Sequence, residues 1–362
     1  MQNLRKSKSR APKATMADVA SRAGVSAATV ARVIYKNGYV KKDTREAVEA
    51  AVAETGYSPN KMARGLRTSR SFTLGMVVSE SRLNAFHPAI AHVVQIEALR
   101  NGYTVLTLNN HADPAMETAG VRSFLDHHVD AIIFCSAIDP ANVRLVASSG
   151  IPTVQVERPI ADIGGLVTVD AEQGMRDAVD HLQGLGHRIF AYIGGEVDTS
   201  RVEAPKYLGI EVVRERLFRE SLARHAITID EAYILSAPYY DDGRPPRQPG
   251  HTLMRRLLAL NPRPTAVVCG SDLLAASALQ AISEAGLSVP HDISIIGYDD
   301  SVAEILTPAL SSIAQPIEEM GKKAVTLALQ SIDDPTLGDQ TMSTSTSLVV
   351  RESTAKPPTP KI

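Results

Sequence analysis

Two cysteines, no tryptophan and only 4% aromatic residues leave this 362-residue chain without the usual material of disulfide scaffolds. Cys135 in AIIFCSA and Cys269 in AVVCGSD sit inside apolar runs with neither metal-like nor redox-like spacing, so both are expected as buried thiols. No run of about 18 uninterrupted apolar residues occurs, which excludes an ordinary membrane-spanning helix. The opening MQNLRKSKSRAPK has no apolar block of the signal-peptide kind, so the chain is expected in the cytoplasm. Also missing are a phosphate-binding GxxxxGK[ST], a GxSxG elbow, an HExxH pair and paired cysteines. The histidines are scattered, with His127, His128, His181 and His187 in or beside polar helix faces, where solvated side chains are expected rather than metal ligands. No catalytic residue, metal or cofactor is therefore expected, and the chain does not read as an enzyme.

What is present is an uneven distribution of charge. The formal net charge is only −2, yet residues 1–70 hold 15 Lys and Arg against five Asp and Glu. The remainder is acidic, with 23 basic and 35 acidic residues. A basic module on an acidic body suits a polyanion bound at one end only. Five of the fifteen basic residues lie in the arm 1–13, and the rest fall in patterned sequence.

That pattern reads as three short helices. Met16, Val19 and Ala20 mark the first, which Gly24 ends. Ser26 caps the second, whose buried side is Val30, Val33 and Ile34. A small residue where the helices cross, a glycine at the turn and a valine packing the second helix on the first make a helix-turn-helix of Ala20, Gly24 and Val30. In the third helix Asp43 and Glu46 are expected as a capping box, with Ala47, Val48, Ala51 and Val52 inward. The second helix of such a module enters the major groove, led here by Ala27, Ala28, Thr29 and Arg32. The alanines offer apolar contact alone, for instance to a thymine methyl. Arg32 either reads a base edge or rests on phosphate. Beyond Pro59, Asn60 caps a further short helical stretch to about Leu66, with Met62, Ala63 and Leu66 on one side and Arg64, Arg67 and Arg70 available for phosphate.

The strings TMADVASRAGVSAATVARV, VKKDTREAV and GYSPNKMARGL together resemble the N-terminal region of the lactose-repressor family of bacterial regulators, without a gap over residues 15–70. The resemblance implies an arm at 1–14, a DNA-binding domain at 15–57 and a hinge helix at 58–71. It implies operator contacts from Thr15, Met16, Ser26, Ala27, Ala28, Thr29, Arg32, Asn37, Tyr57, Asn60, Ala63, Leu66 and Arg67. Leu66 stands where the family wedges a leucine into the minor groove and kinks the duplex. Ala31 replaces a serine common in the family, and Ala27 and Ala28 replace base-reading side chains, so the operator sequence does not carry over.

From residue 72 apolar runs alternate with helical stretches. FTLGMVVS, GYTVLTLNN, DAIIFCS, IPTVQVE and GLVTVD form one series of strands, and RIFAYIGG, AYILS, TAVVCGSD and ISIIGYDD a second. Such alternation predicts two doubly wound lobes of parallel sheet with ligands at the carboxyl ends of the strands. The strings RPTAVVCGSDLLAASAL, GLSVPHDISIIGYDD and TPALSSIAQP resemble the sensor part of the same family, related in fold to periplasmic sugar-binding proteins. The expected fold is thus an all-α helix-turn-helix domain joined by a hinge helix to an α/β periplasmic-binding-protein-like core. That core would run over 72–351, with an N-lobe at 72–168 and 313–338, a C-lobe at 169–312 and 339–351, and a tail at 352–362.

Carried onto this sequence, the family's effector cleft would use Asn84, Phe86, Arg158, Arg201, Ser271, Asp299 and Gln315. A carboxylate such as Asp299 accepts vicinal hydroxyls of a sugar or an amine of a base, or else merely caps a turn. Arg158 meets either an anionic group of the effector or a salt bridge within its lobe. Arg214 and Phe218 match a family pattern in which Leu217 replaces glycine, and the loop before them is lengthened. A plain solute-binding protein would have an export signal and no DNA module, the reverse of what is seen. The resemblance implies a homodimeric repressor on a near-palindromic operator, with no membrane partner, controlled by a sugar or sugar derivative. A purine or other corepressor is the alternative. The tail RESTAKPPTPKI has no leucine heptads of the kind that form a four-helix tetramerisation bundle, so a dimer is preferred.

Overall fold

Three helices with one small core form the start of the chain in a computed structural model, which describes residues 14–35, 37–57, 70–79, 85–196, 209–238 and 249–359. The chain divides into two units, Met1–Ser71 and Phe72–Ile362. In the first, helices α1 (Met16–Ala23), α2 (Ala27–Ile34) and α3 (Lys42–Thr55) enclose Val19, Ala20, Val30, Val33, Val48 and Ala51. Gly24 takes the left-handed conformation that ends α1, at φ +65°. Ser26 caps α2 by accepting from the Thr29 amide at 3.2 Å. Arg22 grips Glu54 through Nε at 2.7 Å, clamping α1 to α3.

The third helix departs from expectation at its start. It begins at Lys42 after Lys41, with no side-chain cap. Asp43 therefore lies inside the first turn, where its charge favours the positive end of the helix but its side chain no longer caps. Ala47, expected inside, is exposed.

The second unit holds two six-stranded sheets. The first comprises β1 (Thr73–Val78), β2 (Thr104–Asn109), β3 (Ala131–Phe134), β4 (Thr153–Val156), β5 (Gly165–Asp170) and β11 (Thr341–Ser345), in the order β2-β1-β3-β4-β5-β11. The second comprises β6 (Phe190–Glu196), β7 (Ile234–Pro238), β8 (Ala266–Cys269), β9 (Ser294–Asp299), β10 (Ser311–Ala314) and β12 (Ser347–Val349), in the order β7-β6-β8-β9-β10-β12. Both repeat one winding, with the strand order reversing beside the first strand of each lobe.

Side-chain alternation sends each strand's residues to two faces, so each lobe has two apolar cores. In the first lobe, Leu74, Met76 and Val78 pack with α4 (Phe86–Arg100) and α11 (Ile317–Asp333). Val77, Ile132 and Phe134 pack with α5 (Pro114–Asp126) and α6 (Pro140–Ser148). In the second lobe, Ile193, Val267 and Ile295 meet α9 (Pro249–Leu258) and α10 (Asp272–Glu284). Tyr192, Val268 and Tyr298 meet α7 (Glu172–Gly184) and α8 (Ile210–Ala223). Cys135 and Cys269 are both buried free thiols, and burial pushes their pKa values up.

The chain passes between lobes after β5, after β10 and after β11. The closing segments differ from the sequence expectation, which put 313–338 in one lobe, 339–351 in the other, and SSIAQP and SLVVRES apart. Instead β10 and β12 pair antiparallel in the second sheet, with Ser312 opposite Val349, and β11 runs parallel to β5 in the first. The reason lies in α11, whose Met320, Ala324, Val325, Leu327 and Ala328 complete the first lobe's core. The polar strand TMSTS then extends that lobe's edge before the chain crosses at Thr346. There Thr346 donates its amide to the Asp170 carbonyl at 3.0 Å, tying two crossings together.

Helices α9 and α10 approach most closely at Gly250, where an added Cβ would lie 2.2 Å from the Leu274 carbonyl oxygen. Gly250→Ala is expected to lower the stability of the second unit by about 1–3 kcal/mol through this overpacking. A urea unfolding curve with an unchanged midpoint would show that the helices part without strain.

Candidate DNA-reading helix and effector cleft

On the first unit, α2 presents Ala27 and Ala28 in its first turn and Arg32 in its last turn to solvent, with Thr29 half-buried and Asn37 exposed beyond the helix end. The hydroxyls of Ser26 and Thr29 lie 3.0 Å apart, so both are engaged in the cap. Thr15 is engaged likewise. Its amide donates to Asp18 Oδ2 at 2.7 Å and its hydroxyl to the same oxygen at 2.8 Å, closing a capping box at the start of α1. Met16 and Tyr57 pack against the core of the unit. Asn60, Ala63, Leu66 and Arg67 lie outside the described residues.

On the second unit, a cluster of charged side chains joins the two lobes at the carboxyl ends of the strands. Glu157 and Arg158 follow β4, while Glu211 and Arg214 stand one helical turn apart on α8. Arg158 Nη2 donates to Glu211 Oε1 at 2.5 Å. Arg214 Nη2 donates to Glu157 Oε1 at 3.2 Å, and Nη1 to the Gly270 carbonyl at the end of β8 at 2.9 Å. The Arg214 guanidinium also lies 3.7 Å above the centre of the Tyr298 ring. Gln315, just past β10, donates through Nε2 to Asp299 Oδ1 at 2.7 Å, and Arg214 is 3.6 Å from the same carboxylate.

Backbone strain gathers here too. Glu157 has φ +63° and Asp299 φ +96°, left-handed conformations that cost of order 1–3 kcal/mol each and that concentrate at functional sites. Burial pushes the Asp299 carboxyl up to about 7, against the opposing pull of Arg214.

Of the residues expected in the cleft, the structure brings together Arg158, Asp299 and Gln315. Ser271 caps α10, accepting from the Leu274 amide at 3.2 Å. The Phe86 ring is buried in the first lobe's core with its edge toward His87. Asn84 and Arg201 lie outside the described residues. Sequence reasoning missed Glu157, Glu211 and His87 as members of this cluster. The one available signal was the strand-end position of Glu157, whereas His87 and Glu211 sit near the starts of helices with nothing local to distinguish them. His87 is buried, and burial, partly opposed by Glu157, lowers its imidazole to about 4. Two further buried carboxylates are taken up internally. Glu117 accepts from the Ile138 and Asp139 amides and from the side chains of Asn110 and Asn142. Asp272 accepts from Ser312 Oγ at 2.6 Å and the Ser301 amide at 2.8 Å. No group of three or more metal-ligating side chains occurs among the described residues, and no helix among them is long and apolar enough to cross a membrane.

Comparison with known proteins follows the same division of the chain. Residues 15–60 match the family described as bacterial regulatory proteins, lacI family, and residues 179–354 match a periplasmic binding protein-like domain. The sequence is 31% identical to the ribose operon repressor of Escherichia coli (strain K12) over 94% of this chain and 99% of that one. It is 32% identical to the HTH-type transcriptional repressor PurR of Erwinia tasmaniensis over 95% of this chain and 98% of that one. Among solved structures, the Lac repressor bound to ONPG in the repressed state is similar with a TM-score of 0.73 at 27% identity, covering 95% of this chain and all of that one. The complex of the transcriptional regulator CelR with cellobiose is similar with a TM-score of 0.68 at 30% identity, covering 94% and 99%.

The raised carboxyl of Asp299 sets a pH dependence. The folded protein holds its proton up to about pH 7, while the unfolded chain releases it near the ordinary carboxyl value of 3.8. The resulting penalty is absent below that lower value, grows across the window between the two, and is complete above the higher one. Asp299→Asn removes it. The stability of the Asn variant relative to the parent should therefore rise by about 2–3 kcal/mol between roughly pH 5 and 8. Parallel thermal melts across that range check this, and a constant difference would mean that Asp299 titrates as an ordinary carboxyl.

Proposed function

The chain belongs to the lacI family of bacterial regulatory proteins, and from that premise we propose that it is a repressor released from its operator by a sugar or sugar derivative held between the two lobes. A sequence-specific DNA-binding regulator with a small-molecule effector is common to the family. The choice of a sugar is carried by the strand-end cluster, where Asp299, Glu157 and Glu211 supply carboxylate acceptors suited to vicinal hydroxyls. Among the described residues, the aromatic faces nearby are already covered. Phe86 is buried, Tyr192 stacks on Phe218 with ring centres 5.2 Å apart, and Tyr298 lies under Arg214. That disfavours a flat purine. Relatives point both ways, since one is a ribose operon repressor and another is named PurR, while CelR was solved with cellobiose.

In this reading the cleft binds without reacting, and the protein works in the cytoplasm as a homodimer on a near-palindromic operator. Filling the cleft alters the disposition of the lobes, and through the segment 58–71 the spacing of paired hinge elements on DNA. A coupling of about 1–3 kcal/mol changes operator affinity 5- to 150-fold. Arg32 is the base-reading side chain of α2, Asn37 and Arg67 serve phosphate, and Leu66 wedges the minor groove. With Ala27 and Ala28 exposed and apolar, much of the specificity falls on that wedge and on DNA shape.

Two variants measured on operator and on random duplex test the DNA side. Arg32→Ala should cost about 1–3 kcal/mol on operator and little on random DNA, and Leu66→Ala should show the same selectivity. Equal losses on both duplexes would reassign these residues to the phosphate backbone.

A further inference from the structure

Among the described residues, positive charge at the strand-end cluster is paired with carboxylates of the protein itself. Among the described residues of the cluster, Arg158 is held by Glu211 at 2.5 Å, and Arg214 by Glu157 at 3.2 Å with Asp299 at 3.6 Å. Arg351, beyond β12, is held by Asp300 at 2.6 Å. The start of α10, which would otherwise attract an anion, carries the Asp272 carboxylate in its own first turn. His87 is neutral near pH 7, because burial lowers its imidazole to about 4.

Among the buried polar atoms of the described residues without a hydrogen bond are those of three uncharged or acidic groups of this cluster, alongside the Nε of Arg214, whose guanidinium is otherwise engaged. Glu211 Oε2 and Gln315 Oε1 are acceptors, and the two ring nitrogens of His87 supply one donor and one acceptor. All three residues are more than nine-tenths buried, with 7%, 7% and 8% of their surfaces exposed. Each belongs to the strand-end cluster, Glu211 through Arg158, Gln315 through Asp299, and His87 through its electrostatic contact with Glu157.

Resting on the sugar reading of this cleft, we propose that it selects an uncharged, hydroxyl-rich effector and discriminates against the phosphorylated or acidic forms of the same sugar. A hydroxyl donates to Glu211 Oε2 or Gln315 Oε1 and pairs with the neutral His87 while every ion pair stays intact. A phosphate or carboxylate has to take an arginine from its partner, leaving a buried carboxylate uncompensated beside a second anion. The inference fixes the charge of the effector and adds His87 to its binding set.

Matched pairs test this on the full-length protein by calorimetry and thermal shift, using ribose and ribose 5-phosphate, glucose and glucose 6-phosphate, galactose and galacturonate, and cellobiose and cellobionate. The tightest binder should be a neutral member, at least tenfold tighter than its anionic twin. Glu211→Gln, which leaves Arg158 only the longer contact with Glu157 at 3.6 Å, should shift that ratio at least tenfold toward the anion. His87→Phe should weaken the neutral sugar about tenfold and more than it weakens the anionic twin, with the melting temperature of the ligand-free variant measured beside it to separate binding from stability. A twin that binds as tightly as its neutral partner overturns the proposal and leaves the sugar reading standing. An unaltered ratio in folded Glu211→Gln overturns the pairing as its cause. Silence from all eight compounds, with purines stabilising instead, removes the sugar reading as well.

Discussion

Two ion pairs that cross between the lobes, Arg158 with Glu211 and Arg214 with Glu157, are the constraint on which the sensor depends. Each lobe is self-sufficient in apolar packing, with one core on either face of its own sheet, and none of these clusters contains residues of both lobes. What joins the lobes is polar: three chain crossings and this buried charge. Breaking one partner of a buried pair typically costs about 3–5 kcal/mol, because the other charge is stranded. The lobes are thus held to one another by buried charge and not by a shared apolar core. The strained backbones of Glu157 and Asp299 place these carboxylates there, on a rigid frame of buried strands.

The DNA-reading unit follows a different economy. Six fully packed small side chains and the Arg22–Glu54 clamp hold three helices, leaving the leading face of α2 sparse. A face of two alanines and one arginine can discriminate only a few base positions directly. In the proposed reading the remaining affinity comes from phosphate contacts, which are salt-dependent and indifferent to sequence.

Much of this was legible in the sequence. Gly24 and Ser26 signal the turn directly, and nine of the strands follow from apolar runs of four to eight residues between breakers. The errors have physical causes. Asp43 looked like a cap because the acidic pair and spacing were right, but the backbone turns helical one residue earlier. Strand β11 is TMSTS, polar and half exposed, so no apolar run announces it, and the lobe assignment of the closing segments failed with it. The cleft was legible only where a family resemblance supplied it, at Arg158, Asp299 and Gln315. Glu211 and His87 acquire meaning from neighbours more than 50 residues away in the chain, and no local pattern encodes that.

The most direct test of the account is a double-mutant cycle on Arg158 and Glu211, with Arg158→Ala, Glu211→Ala and the double variant compared by urea unfolding of the full-length protein. A cross-lobe pair that holds the sensor together predicts a coupling of about 1–3 kcal/mol, with the double variant less destabilised than the single variants sum to. Additive losses, with no coupling, would contradict it.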